Sequence, residues 1–356
     1  MDDRTRVLVL APSRGRGGGI ERYVAGVCDA LSLLDIPTRR VALTTASSQT
    51  ASRKAATCAE ALALALTWRP THVLVMHPNL FRFAKYVGRV ANASVTGWVY
   101  GAEAFSPEKA AAVVGRAAGI RLVAISEWTK RCLVEAGAND DLAVVLPAMS
   151  DQWLALTAAV ANGRRESPTP RIAAITRFDA DVAFKGVDTL IDVVARFARR
   201  DIRVDLDLVG IGAELGAHRS LALDQGVADR VHFLGWLPDD AMANVLARAW
   251  MFSLPSRLDP NGSAGEGFGI VYVEAASAGV PVVGSTDGGA AEAIIDEVTG
   301  LTIDPSDVDA LVAAVERLCG DEGLRTKLGE EGARWVREEF TIERLARDLT
   351  AMLVPA

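Results

Sequence analysis

VLVLAPSRGRGGGIERYVAGVCDALSLLDIPTRRVALT, residues 7–44, decides the fold. Val7–Ala11 is an unbroken apolar run of strand length, Ile20–Leu34 is a stretch of helical length, and Val41–Thr44 is apolar again. Strands that are apolar throughout, rather than at alternate positions, are covered on both faces; separated by helices, they pair in parallel. The alternation continues through Val73–Met76, Val95–Tyr100, Leu122–Ile125 and Ala143–Leu146, with Ala55–Leu66 among the helical segments. Asn162–Pro170 (NGRRESPTP), polar and carrying two prolines and a glycine, reads as an interdomain linker. After it the strands Arg171–Ile175, Val204–Val209, Val231–Leu234, Met251–Leu254, Pro281–Gly284 and Leu301–Ile303 restart the pattern. Helices are expected at Gly186–Arg200, Glu214–Gln225, Asp240–Ala249, Phe268–Ala278 and Asp307–Cys319, and an amphipathic one at Ile342–Leu353. The class is α/β, with two doubly wound domains, 1–165 and 166–340, facing across a cleft and followed by a helical segment, 341–356. In such sheets ligands sit beyond the C-terminal strand ends, at the switch point, so motifs should follow strands.

Composition narrows the function. The 356 residues are 50% hydrophobic and 23% charged, which is globular. No apolar run approaches the ~20 residues of a membrane helix, and MDDRTRVLVLAPS enters a strand without a signal peptide's apolar core. A soluble, cytoplasmic protein is expected. Cys28, Cys58, Cys132 and Cys319 form no C-x-x-C pair, which argues against disulfides and thiolate zinc. His72 and His77 flank a strand end and read as strand-end and surface polar residues rather than metal ligands; His218 and His232 lie far off. Residues 1–166 carry 20 Lys+Arg against 14 Asp+Glu, and the remainder 18 against 31. This basic half suits an anionic acceptor or a peripheral membrane contact, or is merely solvated charge. No Lys/Arg-rich run marks nucleic acid.

Five motifs follow strands. Arg14–Arg22 (RGRGGGIER) opens a helix, where free N–H groups suit a phosphate or a hydroxyl-rich group. It lacks the dinucleotide fingerprint, since Gly15 and Gly17 are followed by Ile20 and the second strand ends in Thr44–Thr45 without an acid. In Thr176–Gly186 (TRFDADVAFKG), Arg177 and Lys185 can converge on one diphosphate whose negative charge grows as a bond to it breaks. Glu266–Glu274 (EGFGIVYVE) is the strongest. Eight residues of helix rise about 12 Å, more than the roughly 5–9.5 Å between glycosidase carboxylates, so the two acids suit hydroxyls at two ends of an elongated ligand. Val209–Glu214 (VGIGAE) and Asp287–Glu292 (DGGAAE) add glycine turns, either of which suits a ligand or a bare turn.

Taken together, Gly17–Gly19, Arg177 with Lys185–Gly186, Glu266–Glu274 and Gly288–Gly289 with Glu292 resemble retaining glycosyltransferases of family four (glycosyl transferases group 1), in order and spacing over nearly the whole chain. The resemblance implies the GT-B architecture, two Rossmann-like domains with the acceptor on the first and the nucleotide sugar on the second. It also implies a C-terminal helix that crosses back to brace the first domain. On it, Arg177 and Lys185 grip the donor diphosphate and Glu266 accepts hydrogen bonds from sugar hydroxyls. Gly267, Phe268 and Gly269 lie near sugar and phosphate, Glu274 takes the ribose, and Gly18 and Gly19 close over the phosphates. Trp98–Phe105 (WVYGAEAF) matches the family's His-Gly-x-Glu, with Gly101 and Glu103 in place but Tyr100 where the His stands. Tyr100 and Glu103 are thus assigned to the sugar or acceptor side. The implied function is a metal-independent, retaining hexosyltransferase without a cofactor. It would move sugar from a UDP- or GDP-sugar to a small-molecule, glycan or lipid-linked hydroxyl. A nucleotide-sugar epimerase and a non-catalytic nucleotide-sugar binder are the alternatives.

Overall fold

The computed structural model describes residues 5–13, 18–44, 51–163, 166–259 and 264–353. The chain divides into two compact units, Met1–Ser150 with Phe340–Ala356, and Asp151–Glu339.

In the first unit the elements run β1 (Val7–Ser13), α1 (Gly19–Leu33), β2 (Thr38–Thr44), α2 (Ala51–Thr67), β3 (His72–Val75) and α3 (Phe81–Ala91). They continue as β4 (Ser94–Val99), α4 (Pro107–Arg116), β5 (Arg121–Ala124), α5 (Glu127–Glu135) and β6 (Ala143–Val144). The sheet order is β2-β1-β3-β4-β5-β6, every pair parallel. Val7 to Ala11 are fully buried, as an apolar run at the centre of a covered sheet requires. Helix α1 turns Tyr23, Val24, Val27, Ala30 and Leu31 inward, the i, i+1, i+4, i+7, i+8 stripe of an amphipathic helix.

The second unit opens with α6 (Asp151–Asn162), then β7 (Arg171–Ile175), α7 (Val187–Arg199), β8 (Asp205–Val209), α8 (Leu215–Asp224), β9 (Val231–Gly235) and α9 (Asp239–Arg248). It closes with β10 (Met251–Ser253), α10 (Ile270–Ser277), β11 (Val282–Ser285), β12 (Gly300–Ile303), α11 (Val308–Gly320) and α12 (Glu322–Glu339). Its order is β12-β11-β10-β7-β8-β9, again all parallel. The final helix α13 (Ile342–Leu353) returns to the first unit. There it packs on α1, burying Ile342, Leu345, Ala346 and Leu349. Its Arg344 guanidinium donates to the carbonyls of Leu146 and Pro147.

The chain passes between units at residues 150–151, not within Asn162–Pro170. Helix α6, read above as part of the first domain, belongs to the second, where Trp153 Nε1 donates to Ser277 Oγ at 3.0 Å. The polar stretch is fastened to that same unit. Ser167 N donates to Arg248 O (2.9 Å), and Trp250 Nε1 donates to Ser167 O (2.7 Å). Glu166 pairs at 3.0 Å with Arg325, itself buried and stacked 3.9 Å from the Trp250 ring centroid. Arg164 and Arg165 lie outside the described residues; the part from Glu166 to Pro170 is an anchored loop rather than a linker. Among the described residues no helix is long and apolar enough to cross a membrane.

Candidate functional site

In the second sheet the chain leaves β7 for β8 and β9 on one side, then returns to place β10, β11 and β12 on the other. The switch point therefore lies between β7 and β10, where strand order reverses and ligands of such sheets bind. The loops after these two strands carry Thr176–Gly186 and Glu266–Gly269.

Four loops are sewn together there. Phe178 N donates to Ile211 O (3.0 Å) and Glu214 N to Phe178 O (2.7 Å), so the VGIGAE turn is the bed of the Arg177 loop. A Cβ on Gly210 would stand 1.7 Å from Thr176 O, a closeness only glycine permits. Arg257 N donates to Phe184 O at 2.8 Å, joining the loops after β7 and β10. Gly289 N donates to Glu266 O at 2.8 Å, and Leu258 N to Asp287 Oδ2 at 3.0 Å, bringing in the loop after β11. The two turn motifs are thus structural partners of the other two, a relation their separate positions in the sequence do not disclose.

Lys185 Nζ and Glu266 Oε2 meet at 2.6 Å, 81 residues apart in sequence and both largely buried. Arg177 turns instead to its own loop, with Nη1 2.9 Å from Asp179 and Nη2 3.2 Å from Asp181. Its side chain stays 40% exposed, free to exchange these acids for another anion. A further cation escaped the sequence reading: Arg257, just beyond β10, donates to Asp188 Oδ2 (2.9 Å) and Thr189 Oγ1 (3.0 Å). Its position after an apolar strand was the available signal.

Glu266 to Gly269 is not helical, which corrects the helical rise reckoned from Glu266 to Glu274 and starts the helix expected at Phe268–Ala278 two residues later. Helix α10 begins at Ile270, because Gly269 adopts a left-handed conformation (φ 87°) that ends the preceding loop. The 12 Å rise therefore does not describe the separation of the two acids. Neither acid is a solvated helix-face residue. Phe268 is buried, and Glu274 is only 3% exposed on α10 beside Tyr272 and Val273. Tyr272 Oη donates to Leu254 O at the end of β10, and burial pushes its phenol up so that it stays protonated.

The first unit has its own switch point, between β1 and β3. Arg14–Gly17 of the first motif lie outside the described residues. Gly18 precedes α1 and Gly19 begins it, but the Gly18 N–H is already donated to Glu21 Oε2 at 2.8 Å. A carboxylate thus occupies part of the helix N-terminus that was expected to meet phosphates. Tyr100, just past β4, stands edge-on to Tyr23, ring centroids 5.6 Å apart. Tyr23 Oη accepts from Trp98 Nε1 and donates to Val145 O, both at 2.9 Å. The Tyr100 hydroxyl is buried, with no hydrogen-bond partner among the described residues. Burial, with Tyr23 and Glu103 adding to it, holds that phenol well above its ordinary range. Glu103 accepts the Tyr100 N–H at 3.0 Å and faces His77 Nε2 at 3.2 Å. Burial pushes its carboxyl up, but the His77 ring and the backbone N–H groups outweigh that and bring it below the ordinary glutamate range. His77 is 6% exposed, which corrects the reading of it as a surface residue.

Among the described residues no three His, Cys, Asp or Glu side chains converge as a metal site. Asp205 and Asp207 share one strand face, as their spacing implies, and both bind Arg171 (2.9 and 2.6 Å).

Residues 166–335, nearly all of the second unit, match the family described as glycosyl transferases group 1. Over 184 residues the chain is 36% identical to a GDP-mannose-dependent alpha-(1-6)-phosphatidylinositol monomannoside mannosyltransferase of Mycobacterium tuberculosis, covering 52% of this chain and 47% of that protein. An MMP alpha-(1->4)-mannosyltransferase of Mycolicibacterium hassiacum is 34% identical over 183 residues, covering 51% and 42%. The chain spans about half the length of the curated relatives it matches. A crystal structure of Anabaena HepE with UDP and glucose superposes with a TM-score of 0.76 at 18% identity, covering 98% of this chain and 99% of that one. Sucrose-phosphate synthase from Thermosynechococcus elongatus gives 0.75, also at 18% identity, covering 98% of each. These likenesses show the fold, GT-B, with two Rossmann-like units.

Proposed function

We propose that the chain is a glycosyltransferase that moves a sugar from a nucleoside diphosphate sugar to an acceptor hydroxyl, with retention at the anomeric carbon. The observation that carries this is the Lys185–Glu266 pair, 2.6 Å apart at the β7/β10 switch point, with Arg177 on the same loop as Lys185. An ammonium there meets a diphosphate, and a carboxylate there accepts hydrogen bonds from sugar hydroxyls. Donor binding would transfer Lys185 from Glu266 to the phosphate, freeing the carboxylate for the sugar.

As the bond from the anomeric carbon to the phosphate oxygen breaks, its electron pair stays on that oxygen. Lys185 and Arg177 stabilise the growing charge in place of a metal ion. The departing phosphate oxygen takes the proton of the incoming hydroxyl on the same face, and that hydroxyl's oxygen bonds to the anomeric carbon, giving retention. No side chain is required as base. Gly267–Gly269 backbone lies along sugar and phosphate, and Glu274 receives the ribose. At Gly18 and Gly19 a phosphate would have to displace Glu21. Tyr100 and Glu103 belong to the sugar or acceptor side. Names of the relatives favour GDP-mannose as donor and a lipid-linked or glycan hydroxyl as acceptor. UDP-glucose is the second donor to try, since HepE holds UDP and glucose. Incubation with each donor, with and without a mannoside acceptor, followed by product analysis, tests the proposal.

A further inference from the structure

His77 leaves β3 and is held at both ring nitrogens. Nδ1 accepts the Asn79 backbone N–H at 3.2 Å, so that nitrogen carries no proton and the neutral ring has its hydrogen on Nε2. Nε2 therefore donates to Glu103 Oε1 at 3.2 Å. The other carboxylate oxygen accepts the Tyr100 N–H at 3.0 Å. One carboxylate thus joins the end of β3 to the turn after β4, where Ala104 N also closes on Gly101 O at 2.6 Å. With an oxygen committed to each side, Glu103 works as a brace.

The Tyr100 hydroxyl is buried and, among the described residues, without a partner. A buried hydroxyl without a partner is costly, and folds retain few. A ligand oxygen would complete this one. The phenol remains protonated, so it offers a neutral donor.

We propose that His77 is a positioning residue: through the Glu103 carboxylate it pins the turn that presents the Tyr100 hydroxyl, an uncharged donor, to a carbohydrate hydroxyl. This rests on the glycosyl-transfer reading for its ligand, whereas the brace itself is a property of the first unit alone. His77 touches no sugar and acts only through Glu103.

The test compares His77→Leu, which removes the donor, His77→Gln, which restores an N–H of similar reach, and Tyr100→Phe. Exchange of the Tyr100 backbone N–H in the protein alone reads the brace. Turnover of GDP-mannose and UDP-glucose, without and with a mannoside acceptor, reads its consequence. His77→Leu should raise Tyr100 N–H exchange about tenfold and lower kcat about three- to tenfold, the scale of one neutral hydrogen bond. Affinity for free GDP or UDP should not change, because the diphosphate grip lies in the other unit. His77→Gln should restore both exchange and kcat. Tyr100→Phe should copy the loss in kcat with normal exchange. A loss already present in donor hydrolysis assigns the hydroxyl to the donor sugar; a loss confined to transfer assigns it to the acceptor. Unchanged Tyr100 exchange in His77→Leu overturns the brace whatever the turnover. Wild-type kcat in Tyr100→Phe overturns the contact. A wild-type protein that turns over neither donor overturns the glycosyl-transfer reading and the sugar contact, and exchange still decides the brace. Should His77→Leu fail to fold, His77→Asn takes its place, keeping the Asn79 contact but falling short of Glu103.

Discussion

Gly289→Ala is the sharpest probe of how the second unit's loops meet. A Cβ on Gly289 would lie 2.0 Å from Gly267 O and 2.4 Å from Gly267 C, where ordinary contact begins at 3.4 Å. The obstacle is backbone, so no side-chain rotation relieves it, and the loops after β10 and β11 must part by about 1.4 Å. Overpacking of this kind costs about 1–3 kcal/mol. The strained Gly289–Glu266 hydrogen bond adds about 1 kcal/mol. At about 2–4 °C per kcal/mol for a unit of this size, the melting transition should fall by roughly 5–15 °C. Movement along the Lys185–Glu266 vector would stretch that contact from 2.6 Å to about 4 Å, beyond hydrogen bonding. Differential scanning calorimetry, with titration by GDP and UDP, reads both effects. Gly115→Ala is the control, since nothing lies within 4 Å of its Cβ on α4; it should stabilise by about 0.5–1 kcal/mol. A Gly289→Ala protein with wild-type melting and nucleotide affinity would refute the meeting of these loops.

The two glutamates should separate in calorimetric titration. Glu274→Gln loses nucleoside diphosphate affinity by about 1–3 kcal/mol. Glu266→Gln binds it at least as well as wild type, because Lys185 is released, yet turns over donor poorly. Equal losses in both would displace the motif from its assigned ligand groups. Donor turnover should be unchanged in excess chelator, and abolition with rescue by Mn²⁺ or Mg²⁺ would count against the basic pair as the charge-stabilising device. Against the opposing push of burial, the His77 ring and backbone N–H groups hold the Glu103 carboxyl below its ordinary range. Its carboxylate therefore contributes stability that is complete above the unfolded value and lost as pH falls through the lower folded value. The stability difference between wild type and Glu103→Gln should be largest near neutrality and shrink as pH falls through the acidic range where carboxylates protonate; a constant difference would contradict the pairing with His77.

The alternation of elements was legible because several strands are near-continuous apolar runs: Val7–Ala11 and Val73–Met76 announce themselves by composition. The boundary between units was not, since Glu166 and Ser167 look like linker until Arg325, Arg248 and Trp250 are seen to hold them. The Glu266–Glu274 spacing was measured as helical rise, but the left-handed Gly269 starts the helix only at Ile270. Arg177, Lys185 and Glu266 could be picked out by residue type and position after strands. Their sharing of one switch point with Asp287–Gly289 depends on strand order, which local sequence does not encode. His77 was passed over for a similar reason: its partner Glu103 lies 26 residues away, on the loop after the neighbouring strand.

Donor turnover by wild type, Lys185→Ala and Arg177→Ala, measured with GDP-mannose and UDP-glucose, tests glycosyl transfer most directly. Wild type should release or transfer the sugar of one donor with its anomeric configuration retained. Each variant should fold normally and lose about 10²-fold in kcat/KM, the scale of one key electrostatic contact to a developing charge. Turnover of neither donor by wild type, or near-wild-type turnover in the folded variants, would contradict it.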